Sequence, residues 1–241
     1  SRALSTWTKH PTFGVTLERH GRDCDAADIP LDRTVGWFTT LVPVGLTVSG
    51  DIARDLKAAK ESLRRLPGNG TDFSLLRYLG SRTERERLSA LPWPEVTFNH
   101  LGTVADIDAG PLFSLDTEAM RLSADPAAPL GSELVVDSYQ GKGAITLRLG
   151  YGGDRFDGPT IERLIDLLRL AFDALAVHGH DEAAGGATPS DFALAGLTQD
   201  ELDGLGLDWR TIEDLYPLTP TQGGILFHAL AAPGAGLYVN Q

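Results

Sequence analysis

The tightest constraint on this chain is a change of hydrophobic period in its second half. Ile145, Leu147, Leu149 and Tyr151 alternate with Thr146 and Arg148, the two-residue period of a half-buried strand. Within ten residues the period lengthens, and Ile161, Leu164, Ile165, Leu168, Phe172 and Leu175 fall on one face of a helix. Asp157 and Pro159 mark its start and His178-Gly179 its end. A strand with one apolar face beside a helix with one apolar stripe buries both by layering, so the expected class is α/β.

The same alternation runs upstream. Phe13, Val15 and Leu17 alternate with Gly14, Thr16 and Glu18, which turns Glu18 away from the apolar face of a strand. Residues 34–46 read as a second strand region, ending at Pro43, and Val96 to Leu101 as another short strand. Between them Ile52, Leu56, Ala59, Leu63 and Leu66 make a helical stripe. Asp51 and Asp55 come early in that helix and Arg64 and Arg65 late, as its dipole prefers. Pro67-Gly68-Asn69-Gly70 stops it.

Composition narrows the function classes. The net charge of −12 opposes nucleic-acid binding, which needs clustered Lys and Arg. Cys24 is the only cysteine, so no intrachain disulfide, Cys-rich zinc site or thiol pair forms, and no metal site is expected. It has no base beside it in sequence and reads as inert. With no basic-then-apolar leader and no apolar run near the ~20 residues of a membrane span, the expectation is a cytoplasmic protein. The chain opens in Ser1-Arg2-Ala3-Leu4, like the inside of a helix, and reads as cut from something longer.

After Gly179 the composition shifts. Residues 181–215 carry nine acids and one base, Arg210, and read as a linker with one short helix near Gln199–Leu205. Thr219-Pro220-Thr221-Gln222 is then a helix-start signature, Thr capping, Pro in the first turn and Gln three residues on. Ile225, Leu226, Phe227 and Leu230 follow.

Four segments, in order, resemble the signature motifs of epimerization domains of nonribosomal peptide synthetases. Leu17-Glu18-Arg19-His20-Gly21-Arg22-Asp23 is similar to their Glu-Gly-His-Gly-Arg-Glu motif. The stretch from Arg33-Thr34-Val35-Gly36-Trp37-Phe38-Thr39-Thr40 to Pro43 resembles their Arg-Thr-Val-Gly-Trp-Phe-Thr…Tyr-Pro motif. Pro67-Gly68-Asn69-Gly70 with Leu75-Leu76-Arg77-Tyr78-Leu79 resembles the Gly-rich segment, and Phe98-Asn99-His100-Leu101-Gly102 resembles Phe-Asn-Tyr-Leu-Gly. Condensation domains that form peptide bonds usually show Asn-Thr-Leu-Pro where this chain has Trp37-Phe38-Thr39-Thr40. Farther on, Ile212 to Gln222 with Leu226-Phe227-His228 looks like the beginning of a condensation domain. Arg19, Asp23, Val42 and His100 depart from the family pattern, and the His-His-x-x-x-Asp-Gly motif of the N-terminal lobe does not occur here.

The resemblance implies a fold and a division of the chain. Residues 1–180 would be the C-terminal lobe of a two-lobed α/β domain like chloramphenicol acetyltransferase. Residues 181–210 would be an acidic linker, and 211–241 the first elements of a second such domain. It implies inversion, L to D, of the α-carbon of an aminoacyl or peptidyl thioester. No cofactor binds directly, because the substrate arrives on the 4'-phosphopantetheine of a peptidyl carrier protein. The other implied partners are the N-terminal lobe and the downstream condensation domain.

Removing the α-proton makes an enolate, so the reaction needs acid and base groups across a cleft and donors at the enolate oxygen. Glu18 takes the place of the family glutamate that exchanges the proton. Asn99, with His100, would polarise or orient the thioester. His20, Arg22, Arg33 and Trp37 are candidates for the pantetheine arm, set against plainer expectations: a backbone-bonded His20, Arg22 and Arg33 paired with acids, and Trp37 with Phe38 in the core. Two other readings stay open, an amide-forming lobe and a non-catalytic carrier-docking module.

Overall fold

A single mixed sheet organises the first part of the chain, in a computed structural model that describes residues 1–22, 31, 33–103, 131–141, 143–181 and 184–232. Its strands are β1 (Thr12–Arg19), β2 (Thr40–Thr47), β3 (Val96–Thr103), β4 (Leu134–Gly141) and β5 (Ala144–Tyr151), in the order β2-β1-β3-β4-β5. The two outer pairs are antiparallel, and β1–β3 and β3–β4 are parallel. A parallel pair needs a long crossover. Between β2 and β3 lie helices α2 (Ile52–Arg64), α3 (Thr71–Leu79) and α4 (Arg82–Ser89).

Register decides which face is buried. Leu17 stands opposite Val42 on one side and Phe98 on the other, and Phe98 opposite Val136, which meets Leu149. This row faces the helices. Leu134, Val136, Ile161 and Leu164 form the core with Ala3, and Trp7, Val96, Phe98, Leu147 and Leu149 pack around them. Ala3 and Trp7 come from α1 (Arg2–Thr8), Ile161 and Leu164 from α5 (Gly158–Gly179). Trp7 meets Phe156 at 5.7 Å between ring centroids.

The helix ends follow sequence signals. Asp157 accepts from the Thr160 N–H at 2.8 Å and Pro159 occupies the first turn of α5. Asp51 caps α2 by accepting from the Arg54 N–H at 2.7 Å. Asp55, 7% exposed, anchors α2 to its surroundings: it accepts from the Ser49 N–H at 2.6 Å and pairs with Arg2 at 2.8 Å.

Two expectations change. The second strand begins at Thr40 and runs through Pro43 to Thr47, and residues 33–39 lead into it without strand pairing. Pro43 is tolerated because β2 is the edge strand. The acidic stretch, expected as a linker with one short helix near Gln199–Leu205, carries that helix and also packs a small core around it. In the second compact unit, Gly185–Gln241, Thr198 and Glu201 form a capping box on α6 (Gln199–Gly204). Leu202 of that helix is fully buried against Ala187 and Phe192, and Phe192 meets Trp209 at 5.5 Å. Thr219 and Gln222 make the anticipated reciprocal cap on α7 (Pro220–Ala231).

Leu164 is 1% exposed at the centre of the first core. Leu164→Ala is expected to lower unfolding stability by about 2–5 kcal/mol, measured by denaturant titration.

Candidate active site

The side of the sheet away from α1 and α5 carries a polar row. Glu18 stands opposite Asn99, Asn99 opposite Asp137, and Asp137 opposite Arg148. These four side chains lie on four neighbouring strands at one level. Beside Glu18 on the outer strand is Leu41. All four polar residues are half-buried. The alternation that sends Leu17 and Phe98 into the core is what sends Glu18 and Asn99 the other way.

Toward the start of β1 the same face is covered at Thr16, while Gly14 is exposed. Thr16 is 1% exposed, and a Cβ on Gly14 would lie 3.2 Å from the Pro94 ring. Farther along the same face Glu18 and Asn99 are half-buried. Partial burial raises the Glu18 carboxyl above its ordinary value of 4.5, and the nearby charge of Asp137 adds to the rise. A carboxyl that keeps its proton more readily than usual is better matched to proton transfer near neutral pH than an ordinary surface glutamate.

The other candidates are placed differently. His100 follows Asn99 by one residue and so belongs to the opposite side of β3. Its Nδ1 lies 2.8 Å from the Ser138 Oγ, and the structure does not bring it to Glu18 and Asn99. The His20 Nδ1 accepts from the Arg22 N–H at 3.1 Å, a local backbone bond at the end of β1. The guanidinium of Arg22 donates to the carbonyls of Leu31, Thr34 and Gly36 and lies 4.5 Å above the Phe38 ring. Arg22 thus gathers the residues leading into β2. An acid or a phosphate is the expected partner of this arginine; among the described residues the acceptors it has are carbonyls.

Arg33 sits exposed in a turn of that gathered segment. Trp37, expected in the core, is 85% exposed, because Phe38 takes the inward place under Arg22 and residues 33–39 form no strand. Gly21 makes this junction possible. Its φ is +63°, and a Cβ there would fall 1.7 Å from the Phe38 carbonyl oxygen. Gly70, at φ +95°, likewise lets the glycine-rich turn approach Val42. Asp23 and Cys24 lie outside the described residues. Among the described residues, no group of three His, Cys, Asp or Glu is placed to hold a metal ion, and no helix is long and apolar enough to cross a membrane.

Asp137 and Arg148 do not stand out in the sequence. Arg148 is visible there as a polar position of an alternating strand; only the register shows that it shares a row with Glu18.

A family model described as "Condensation domain" matches residues 1–198. The chain belongs to the condensation-domain family. Its relatives are large synthases. A linear gramicidin synthase of Brevibacillus parabrevis is 38% identical over 248 residues, covering 100% of this chain and 3% of that protein. A mycosubtilin synthase of Bacillus subtilis is 32% identical over 245 residues, covering 99% of this chain and 9% of that protein. The chain therefore spans a small fraction of the relatives it matches. Among solved structures, the epimerization domain from the third module of tyrocidine synthetase B superposes with a TM-score of 0.62 at 26% identity, over 73% of this chain and 40% of that one. The fold is the α/β fold of condensation-type domains.

Two outcomes are expected from this geometry. A glutamate whose folded-state value is raised binds its proton more tightly folded than unfolded, so stability falls as pH rises through that window. Glu18→Gln should therefore unfold at a slightly higher temperature than the parent chain at pH 7, with the difference vanishing below the ordinary value of 4.5; melting curves across pH check the sign. Gly21→Ala should cost at least about 1–2 kcal/mol, since both its φ and the Phe38 carbonyl oppose a side chain, and denaturant titration reads the loss.

Proposed function

We propose that this chain is the C-terminal lobe of an epimerization domain in a nonribosomal peptide synthetase, inverting the α-carbon of a carrier-bound aminoacyl or peptidyl thioester from L to D. One observation carries the reading: Glu18 stands beside Asn99 on the polar side of the sheet, with its carboxyl raised by partial burial. The likeness to a solved epimerization domain supports the same choice within the condensation family. So does the Trp37-Phe38-Thr39-Thr40 sequence, where amide-forming members carry a different pattern.

The chemistry follows from the row. Glu18 takes the α-proton of the thioester from one face, and the C–H electron pair moves into the enolate. The Asn99 carboxamide donates to the enolate oxygen or holds the thioester in plane. Reprotonation from the opposite face completes the inversion, and the acid for that step belongs to the N-terminal lobe across the cleft. A positioned base contributes about 10²–10⁴ in rate and an oxyanion donor about 10²–10³. The substrate is tethered through the phosphopantetheine arm of a peptidyl carrier protein, so the lobe needs no resident cofactor. Residues 211–241 begin the downstream condensation domain, and the acidic segment before them joins the two.

The test uses the complete two-lobed domain with an L-aminoacyl thioester on its carrier protein in D₂O. Glu18→Gln should slow deuterium entry at the α-carbon by about 10²–10⁴. Exchange at the parental rate refutes the assignment of Glu18. Growth of the peptide in place of a D-residue would make the lobe an amide-forming one, and carrier binding with no exchange would make it a docking module.

A further inference from the structure

The polar row does not stop at Asn99. Two strands from Glu18, Asp137 occupies the next position of the row, and Arg148 the one after it. Asn99 thus lies between two carboxylates, and the second of them has a cation as its far neighbour. Strands are about 4.8 Å apart, which puts the backbones of Glu18 and Asp137 about 10 Å from each other. Side chains rising from one face of the sheet interact through the space above it. The Debye length at physiological salt is about 8 Å, so two half-buried carboxylates at this spacing are only partly screened.

The charged and titratable groups around Glu18 can be named element by element. On β1 and just beyond it they are Arg19, on the helix-facing side, His20 and Arg22. Arg22 is bound to the carbonyls of Leu31, Thr34 and Gly36. The paired position on β2 is the uncharged Leu41. On β3 the neighbour is Asn99, and His100 belongs to the opposite side, beside Ser138. On β4 the facing group is Asp137, and on β5 it is Arg148. Asp137 is therefore the one acidic group in the row that faces Glu18 among the described residues, and its charge contributes to the upward displacement of the Glu18 carboxyl.

We propose that Asp137 is a positioning residue for Glu18: from one strand beyond Asn99 it opposes a second negative charge on the row, and Arg148 at the far end limits how strongly it does so. Its catalytic meaning rests on the epimerase reading, since a base that ionises only at higher pH is a stronger acceptor for an α-proton.

The primary experiment needs no catalysis. The Glu18 side-chain carboxyl is titrated by ¹³C NMR in this chain, as the parent sequence, Asp137→Asn and Arg148→Met. Asp137→Asn should move the Glu18 midpoint down, so that at the parental midpoint more than half of the variant is ionised. Arg148→Met should move it up. Both displacements should shrink in 1 M salt, where the Debye length is about 3 Å. Midpoints unchanged in both variants, or displaced with the opposite sign, overturn the proposal.

In the complete domain, Asp137→Asn should carry the acid limb of the exchange-rate profile to lower pH and lower its plateau. A change in substrate affinity alone, with an unmoved profile, would make Asp137 merely structural. The two readings fail separately. If Asp137→Asn moves the Glu18 titration while Glu18→Gln leaves exchange intact, the epimerase assignment falls and the electrostatic coupling stands.

Discussion

The register between β1 and β3 is the constraint on which everything else depends. Leu17 beside Phe98 and Glu18 beside Asn99 are consecutive rungs of one ladder, and they face opposite worlds. A slip of one residue would send Glu18 toward Leu164 and Val136 and expose Leu17. The apolar rung therefore enforces the polar one: burying Leu17, Phe98, Val136 and Leu149 under α1 and α5 leaves the carboxylate no other place. Hydrophobic packing thus sets the geometry of the polar row.

The division of labour within the first motif is similar. The register places Glu18 on the polar face of the sheet. Gly21 and Arg22 serve the junction between β1 and the segment that leads into β2, the glycine by leaving room for the Phe38 carbonyl and the arginine by collecting three carbonyls and a ring. The glycine-rich turn does the same for Val42 through Gly70. Arginine suits such work because its several N–H donors spread over a plane can reach several acceptors at once.

Much of the fold was legible in the sequence where one physical signal dominated. The strand around Val15 and the long helix α5 follow from clean periods of two and 3.6, and the caps at Asp51, Asp157 and Thr219 from single side chains. Glu18 turned away from the core for the same reason. The strand β4 was not legible, because Val135 places an apolar residue on the polar side and Ser138 a polar one on the apolar side, which blurs the alternation. Helix α4 has no apolar stripe to read; it is held by the Ser81–Glu84 capping box and the Arg82–Glu86 pair. The row joining Glu18 to Asp137 and Arg148 was invisible for a deeper reason: Glu18 lies far in sequence from the hairpin that carries the other two, and only pairing puts them at one level. Trp37 was misjudged because a large aromatic suggests burial, whereas its neighbour Phe38 occupies the inward place.

Gly21 has one more consequence. Its position is dictated by a carbonyl oxygen of the neighbouring segment and not by any reacting atom, and the same holds for the guanidinium next to it. A relative of this chain that had lost the Glu18 carboxylate would still need both residues to close the turn. Those two letters therefore report on the junction between β1 and β2, and they are silent on the polar row beside it.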